Sequence, residues 1–275
     1  MFKTRLLSGI VLVLIMIVTL YFGGFVTLGM VALISMIGIY ELMRIPEHVS
    51  KALLIVTEAT TVVYYTILGL GYTFESYQYY YLLLLSVFLM VLMCFYVFGY
   101  PKYQLADIML PFFAFFYVTV MLSYIFQVRF LPNGGAYVVL VFLSAWGNDT
   151  CAYCVGVLFG KHKMSPKLSP KKSIEGFVGG IVGAALLGVA YAFLFGKITG
   201  EAITGQLLLA FALICGIGGM ISVVGDLAAS AIKRQYGIKD YGKLIPGHGG
   251  ILDRFDSMIM TAPIVYYLVT LMVQR

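Results

Sequence analysis

Charge is scarce in this chain. Asp, Glu, Lys and Arg make up only 11% of its 275 residues, whereas a soluble domain carries roughly 25%. That shortage excludes a body faced by water on every side. Cysteine is scarce as well: Cys94, Cys151, Cys154 and Cys215 all fall inside apolar runs. Cys151 and Cys154 form a C-x-x-C, but it lies within a span and lacks a second pair. It therefore reads as packed or lipid-facing thiols rather than a redox motif. No small-x-small cleavage pattern follows the apolar stretch after Lys3 and Arg5, so the first segment is expected to be retained.

Apolar residues are plentiful. They account for 61% of the chain, and the mean hydropathy is +0.98. Runs of about 20 apolar residues recur, each long enough to cross a hydrocarbon core roughly 30 Å thick. In lipid a helix satisfies its own backbone, so the expected fold is an all-α polytopic transmembrane bundle with cytoplasmic catalytic loops. Nine spans fit: 6–22, 24–40, 52–71, 79–99, 108–128, 136–160, 177–196, 206–228 and 257–273. The first two form one apolar stretch that would extend roughly 52 Å as a single helix, too long for one span. Gly23-Gly24 offers a turn between two short spans, and one long, tilted or broken helix is the other reading.

With the N-terminus in the cytoplasm, 15 of the 18 Lys and Arg residues fall on that side, leaving Arg129, Lys197 and Arg275 outside. The positive-inside rule demands such a bias. The expected location is the inner cell membrane, multi-pass, with polar loops 161–176 and 229–256 sharing the cytoplasmic face. Residues 1–144 hold 11 charged side chains and residues 145–275 hold 19. Hence the expected organisation: an N-terminal scaffold over 1–135 and a C-terminal catalytic region over 136–275. Glu58 is the one acid within a scaffold span, near enough to the interface to pair or reach water. Gly176, Gly179, Gly180, Gly183, Gly216, Gly218 and Gly219 are read as contacts for close helix packing.

Three stretches carry polar chemistry. Asn148-Asp149 lies in the middle of span 6, where an acid costs about 2.5–3.5 kcal/mol. A cavity, an ion or a basic partner is required, and a structural pairing with a lysine is the simpler alternative. Tyr153 falls one turn later on the same face. The second stretch is the loop from Lys161 to Ser173, in which Ser-Pro-Lys occurs twice. Ser169-Pro170 suits an N-cap and first helical position, placing Lys171 and Lys172 at a helix N-terminus, a favourable place for phosphate. A topogenic or anionic-lipid-binding loop fits those lysines equally well.

The third stretch is more specific. On a helix continuing span 8, Asp226, Ser230, Lys233 and Arg234 share one face. Lys239-Asp240 follows, then Gly247-His248-Gly249-Gly250, where glycines let backbone N–H groups approach an anion. Asp253-Arg254-Phe255-Asp256 opens span 9. If it is helical, the two acids at i and i+3 face one hard cation. Carboxylates, phosphate oxygens and water are how Mg²⁺ is commonly held.

The run Ser230-x-Ile232-Lys233-Arg234, four residues, Lys239-Asp240-x-Gly242-x-x-Ile245-Pro246-x-His248-Gly249-Gly250-Ile251-x-Asp253-Arg254-Phe255-Asp256 resembles the signature of the phosphatidate cytidylyltransferases, also called CDP-diacylglycerol synthases. Asn148-Asp149-Thr150, Phe159-Gly160-Lys161-His162-Lys163 and Ser169-Pro170-Lys171-Lys172-Ser173 with Glu175-Gly176 support it. The resemblance covers about 146–256. It implies transfer of a cytidylyl group from CTP to phosphatidate, giving CDP-diacylglycerol and pyrophosphate. It further implies Mg²⁺ on Asp226, Asp253 and Asp256, with K⁺ as a possible companion ion. Lys233, Arg234, Asp253 and Asp256 are the expected catalytic residues. Asp149, Lys171, Lys172, Ser230, Lys239, His248, Gly249, Gly250 and Arg254 are the expected substrate contacts, while Lys161 and Lys163 are assigned to topology. A homodimer embedded among membrane lipids is implied, with no nucleic-acid partner. A CTP-dependent polyprenol kinase and a lipid transporter with a basic vestibule are the rival readings.

Overall fold

The computed structural model describes residues 2–46, 49–73, 80–247 and 249–274. Among them nine helices run in order: α1 Phe2–Phe22, α2 Gly24–Met43, α3 Lys51–Thr73, α4 Tyr80–Phe98, α5 Leu105–Phe130, α6 Gly134–Phe159, α7 Ile174–Thr199, α8 Gly205–Gln235 and α9 Leu252–Met272. Eight are long and apolar enough to cross a membrane, and α1 adds a shorter apolar stretch, Gly9–Phe22. Large side chains such as Leu82, Phe98 and Leu186 stand exposed on these helices, where lipid rather than water accommodates them. The chain is a polytopic helical membrane protein.

A helix stands at each of the nine expected spans, and among the described residues all but the first are of membrane-spanning length. The chain breaks between α1 and α2 at Gly23, whose φ of 62° and ψ of −154° lie in a region open essentially to glycine alone. Two boundaries move further than the rest. Helix α8 continues to Gln235 and α9 already starts at Leu252, so the polar signature residues at both ends stand on helices.

Close contacts gather the chain into two units, Met1–Ser123 with Tyr241–Leu252, and Tyr124–Asp240 with Asp253–Arg275. In the first unit a π turn, Phe115–Val120, interrupts α5. A π turn leaves backbone groups without their usual partners, and the Thr119 carbonyl accepts from the Tyr65 hydroxyl at 3.2 Å. Ser35 meets that same hydroxyl at 2.7 Å, and Thr61 meets the Thr119 hydroxyl at 2.9 Å. These buried polar groups satisfy one another, as the apolar surroundings require.

The second unit is built on glycine. A π turn, Leu143–Gly147, also interrupts α6. One extra residue in the turn rotates the rest of the helix by roughly 100°, and Asn148 comes next. Asn148 is fully buried, and its Nδ2 donates to Ser222 Oγ of α8 at 3.1 Å. A Cβ on Gly180 of α7 would lie 2.7 Å from Asn148 Oδ1, and one on Gly219 of α8 would lie 3.1 Å from it. Likewise Gly179 faces Val155, Gly183 faces Cys151, and Gly225 faces the Asp256 carbonyl oxygen. The glycines serve close packing, as the sequence suggests, and they fix α6, α8 and α9 around the polar residues.

The loop between α6 and α7 departs from expectation. It forms an antiparallel hairpin, β1 Lys163–Ser165 with β2 Ser169–Ser173, pairing Lys163 with Ser173 and Ser165 with Ser169. Ser169-Pro170 therefore does not begin a helix. Proline is tolerated in this two-stranded ribbon because an edge strand can leave a backbone position unpaired. The N-cap is Ser173, whose Oγ accepts the Gly176 N–H at 3.1 Å.

Packing tolerance should track these distances. Gly180→Ala must push against Asn148 and should cost about 1–3 kcal/mol of stability. By contrast, Gly216 has no neighbour nearer than 3.6 Å to its missing Cβ, so Gly216→Ala should be neutral or slightly stabilising. Thermal unfolding of the purified protein in detergent checks the pair, and equal effects would contradict the packing described.

Candidate active site

Within the second unit a cavity of about 600 Å³ opens between α6, the hairpin, α8 and α9. Its polar lining is Asp149 from α6, Lys163, Lys171 and Lys172 from the hairpin, Asp226 and Lys233 from α8, Asp240, and Asp253, Arg254 and Asp256 from α9. Five acids face five bases, so the formal charges cancel. Ala152, Tyr153, Val157, Phe177 and Val223 make an apolar wall in the same cavity. Both long polar stretches of the sequence contribute to it.

Helical spacing explains the convergence. Asp149 and Tyr153 are one turn apart on α6, and both line the cavity. Asp226 and Lys233 are two turns apart on α8, and Asp253 and Asp256 share the first turns of α9, as the i, i+3 spacing requires. The hairpin carries its lysines to the same place. Its base is closed by Glu175, which accepts the backbone N–H of Lys161 at 3.1 Å and contacts His162 Nδ1 at 2.5 Å.

Two ion pairs organise the charge. Lys233 Nζ donates to Asp253 Oδ1 at 2.8 Å, with both side chains nearly inaccessible. Lys172 Nζ lies 2.5 Å from Asp226 Oδ2 in a more open setting. Asp256 is buried, and its Oδ1 accepts the Ser257 N–H at 2.8 Å. Arg254 Nε is buried without a hydrogen-bond partner. A guanidinium nitrogen in that condition is a donor suited to a phosphate or carboxylate oxygen.

The chain matches the cytidylyltransferase family over residues 3–272. It belongs to that family. Among curated relatives of this cytidylyltransferase-family chain, the phosphatidate cytidylyltransferase of Synechocystis sp. is 38% identical over 145 residues, 51% of this chain and 45% of the relative. The phosphatidate cytidylyltransferases of Thermotoga maritima and Bacillus subtilis are 32% and 33% identical, each over 156 residues and 56% of this chain, covering 56% and 55% of the relatives. The chain spans about half the length of the curated relatives it matches.

Of the residues singled out in this cytidylyltransferase-family sequence, Asp149, Lys171, Lys172, Asp226, Lys233, Asp253, Arg254 and Asp256 meet in the cavity. Ser230, Arg234 and Lys239 are not in its lining. Arg234 Nη1 instead donates to the Ile238 carbonyl at 3.2 Å, closing the turn after α8. Gly249 and Gly250 belong to Tyr241–Leu252 of the first unit, and His248 lies outside the described residues. Sequence reasoning missed Asp240 as a lining residue. It also gave Lys163 to topology, whereas the paired hairpin brings that side chain into the cavity wall; strand pairing was the signal overlooked.

The lining tests the fit of a magnesium ion. Among the described residues no three His, Cys, Asp or Glu side chains come close enough together to hold a metal unaided. Mg²⁺ ordinarily takes one or two carboxylates and completes its shell with phosphate and water. An all-oxygen acid set with no cysteine or histidine in the lining fits that habit and not a zinc site.

Lys172 lines the cavity and Lys161 does not, so their alanine variants should differ. Lys172→Ala should lower turnover or substrate affinity about 10-fold or more, and Lys161→Ala should change either by less than about threefold. Steady-state kinetics on correctly inserted protein decides. Equal, mild effects would return the lysines to a role in anchoring on anionic lipid.

Proposed function

We propose that this chain transfers the cytidylyl group of CTP to phosphatidate, forming CDP-diacylglycerol and pyrophosphate in phospholipid synthesis. One observation carries the reading: the cavity joins a cluster of Lys and Arg to acids suited to Mg²⁺ and, within the same walls, to an apolar surface. A phosphorylated lipid and a nucleoside triphosphate both have phosphates for the first and, in the lipid's case, hydrocarbon for the second. Membership of the cytidylyltransferase family and the names of the relatives support it.

The chemistry asks little covalent work of the protein. A phosphate oxygen of the lipid attacks the α-phosphorus of CTP. The bond from that phosphorus to the β-phosphate bridging oxygen breaks, and its electron pair leaves on pyrophosphate. Catalysis then rests on positioning and on neutralising oxygens that crowd negative charge together. Arg254 presents an unused donor, while Lys172 and Lys233 can exchange a carboxylate for a phosphate oxygen. Among the described residues no three acids of the lining converge, so one or two of Asp226, Asp253 and Asp256 would hold Mg²⁺, with phosphate and water completing its shell; when bound it neutralises phosphate charge. Tyr153, Val157 and Phe177 would take the first carbons of the lipid chains.

The same reading puts the protein in the inner cell membrane with the cavity toward the cytoplasm, supported by the bias of Lys and Arg along the sequence. A homodimer and a K⁺ ion beside the Mg²⁺ rest on family resemblance.

Purified protein given CTP, phosphatidate and Mg²⁺ should form a lipid-soluble cytidine product. Asp253→Asn preserves size but removes the carboxylate that pairs with Lys233 and takes a proposed ligand from the metal. Its activity should fall at least about 100-fold, or roughly 2.7 kcal/mol of transition-state stabilisation. Retained activity with unchanged Mg²⁺ dependence would remove Asp253 from the site.

A further inference from the structure

Glu41 lies in the last turn of α2, and nothing in the sequence around it singles it out. It is 3% exposed. A buried carboxylate must find strong partners, and the partners of Glu41 lie 210 residues away. Its Oε1 accepts the Ile251 N–H at 3.1 Å and its Oε2 accepts the Leu252 N–H at 2.9 Å. These amides belong to the start of α9, where helix geometry leaves N–H groups without intrahelical acceptors and favours a negative charge. Just past the end of α2, Arg44 Nη2 donates to the Tyr241 carbonyl at 3.1 Å. The end of α2 and its C-cap therefore grip both ends of Tyr241–Leu252, the anion at one end and the cation at the other.

Two glycines show how closely this grip is built. A methyl placed on Gly242 or on Gly250 would collide with the Glu41 carboxylate. Neither residue has a left-handed φ, so backbone conformation does not require glycine there. The carboxylate does. Gly250 thus admits an anion, as its glycine-rich setting suggests, and the anion beside it is a side chain of this same chain.

We infer that Glu41 is a positioning residue for the reaction: by holding the Ile251 and Leu252 amides it fixes the point at which the signature loop becomes α9. The next residue is Asp253, and Asp256 comes one turn on. Glu41 is not itself part of the cavity lining, so its influence runs through those amides. The catalytic half of this inference rests on the function proposed above, whereas the grip on the loop does not.

Three variants of the full-length protein test it in detergent or nanodiscs. Glu41→Gln puts an amide NH₂ where one backbone N–H points, so one acceptor becomes a donor. Hydrogen–deuterium exchange at Ile251 and Leu252 should accelerate at least about 10-fold, with exchange in the other helices and the unfolding midpoint nearly unchanged. With activity measured on CTP and phosphatidate, kcat should fall about 10- to 100-fold, as for other residues that orient ligating groups, with little change in KM for CTP. Gly250→Ala should give the same signature. In a Glu41→Ala background the collision is gone, so adding Gly250→Ala should cost far less than it does in the parent.

Unchanged exchange at Ile251 and Leu252 in Glu41→Gln overturns the inference. So does acceleration spread over every helix, which marks a general stabilising role, and so do fully additive costs for Glu41→Ala and Gly250→Ala. Localised acceleration with kcat unchanged overturns its catalytic half. A parent protein that transfers no cytidylyl group defeats the functional reading instead, and the exchange result still decides whether Glu41 holds the loop.

Discussion

A buried carboxylate beside lipid is tolerable only with a partner, and the Lys233–Asp253 pair is where that constraint acts most strongly on this molecule. Neither side chain has appreciable contact with solvent. Removing either would take from the other its 2.8 Å charged partner, and breaking a buried pair costs up to about 3–5 kcal/mol. The same condition governs the whole cavity, in which acids and bases are matched in number. Such a balance is stable at rest, yet every ion pair in it can be traded for a pair with a phosphate or a metal. In the proposed reaction, charge that is expensive to bury is thereby kept ready for ligands that bring the opposite charge.

That arrangement needs helices nearer together than Leu- or Phe-lined surfaces permit. Gly180 and Gly219 enclose Asn148, and Gly225 lies against the backbone of α9 at Asp256. The π turn before Asn148 completes the geometry by turning Asp149 toward the cavity while Asn148 points into packed protein. Packing glycines and cavity acids are two parts of one device. The glycines contribute proximity, which the apolar solvent alone cannot drive between helices.

Much of this was readable in advance, for local reasons. Spans come from apolar run length, and Asp226, Lys233, Asp253 and Asp256 from helical periodicity once the helices extend past the apolar runs. The hairpin was not legible, because Ser169-Pro170 is an equally good helix start and only pairing with Lys163–Ser165 makes it a strand. Glu41 was hidden by distance in sequence: nothing near residue 41 announces the amides of residues 251 and 252. Gly250 sits in a run whose glycines let an anion approach the backbone, but the run does not say which anion, and Gly242 carries no such signal. Local patterns reveal the chemistry a segment can perform, whereas the partner that satisfies it is supplied by the fold.

The central claim is that this cavity breaks the bond at the α-phosphorus of CTP. A polyprenol kinase could share the spans, the acids and the lysines, and would attack the γ-phosphorus using an alcohol in place of a phosphate. Purified protein should therefore be given phosphatidate with CTP labelled at either the α- or the γ-phosphate, and the lipid extracted into chloroform. The account predicts that α-label enters the lipid phase, that γ-label stays in water as pyrophosphate, and that the product carries cytidine. Transfer of γ-label to an isoprenoid alcohol, with CDP released, would contradict it.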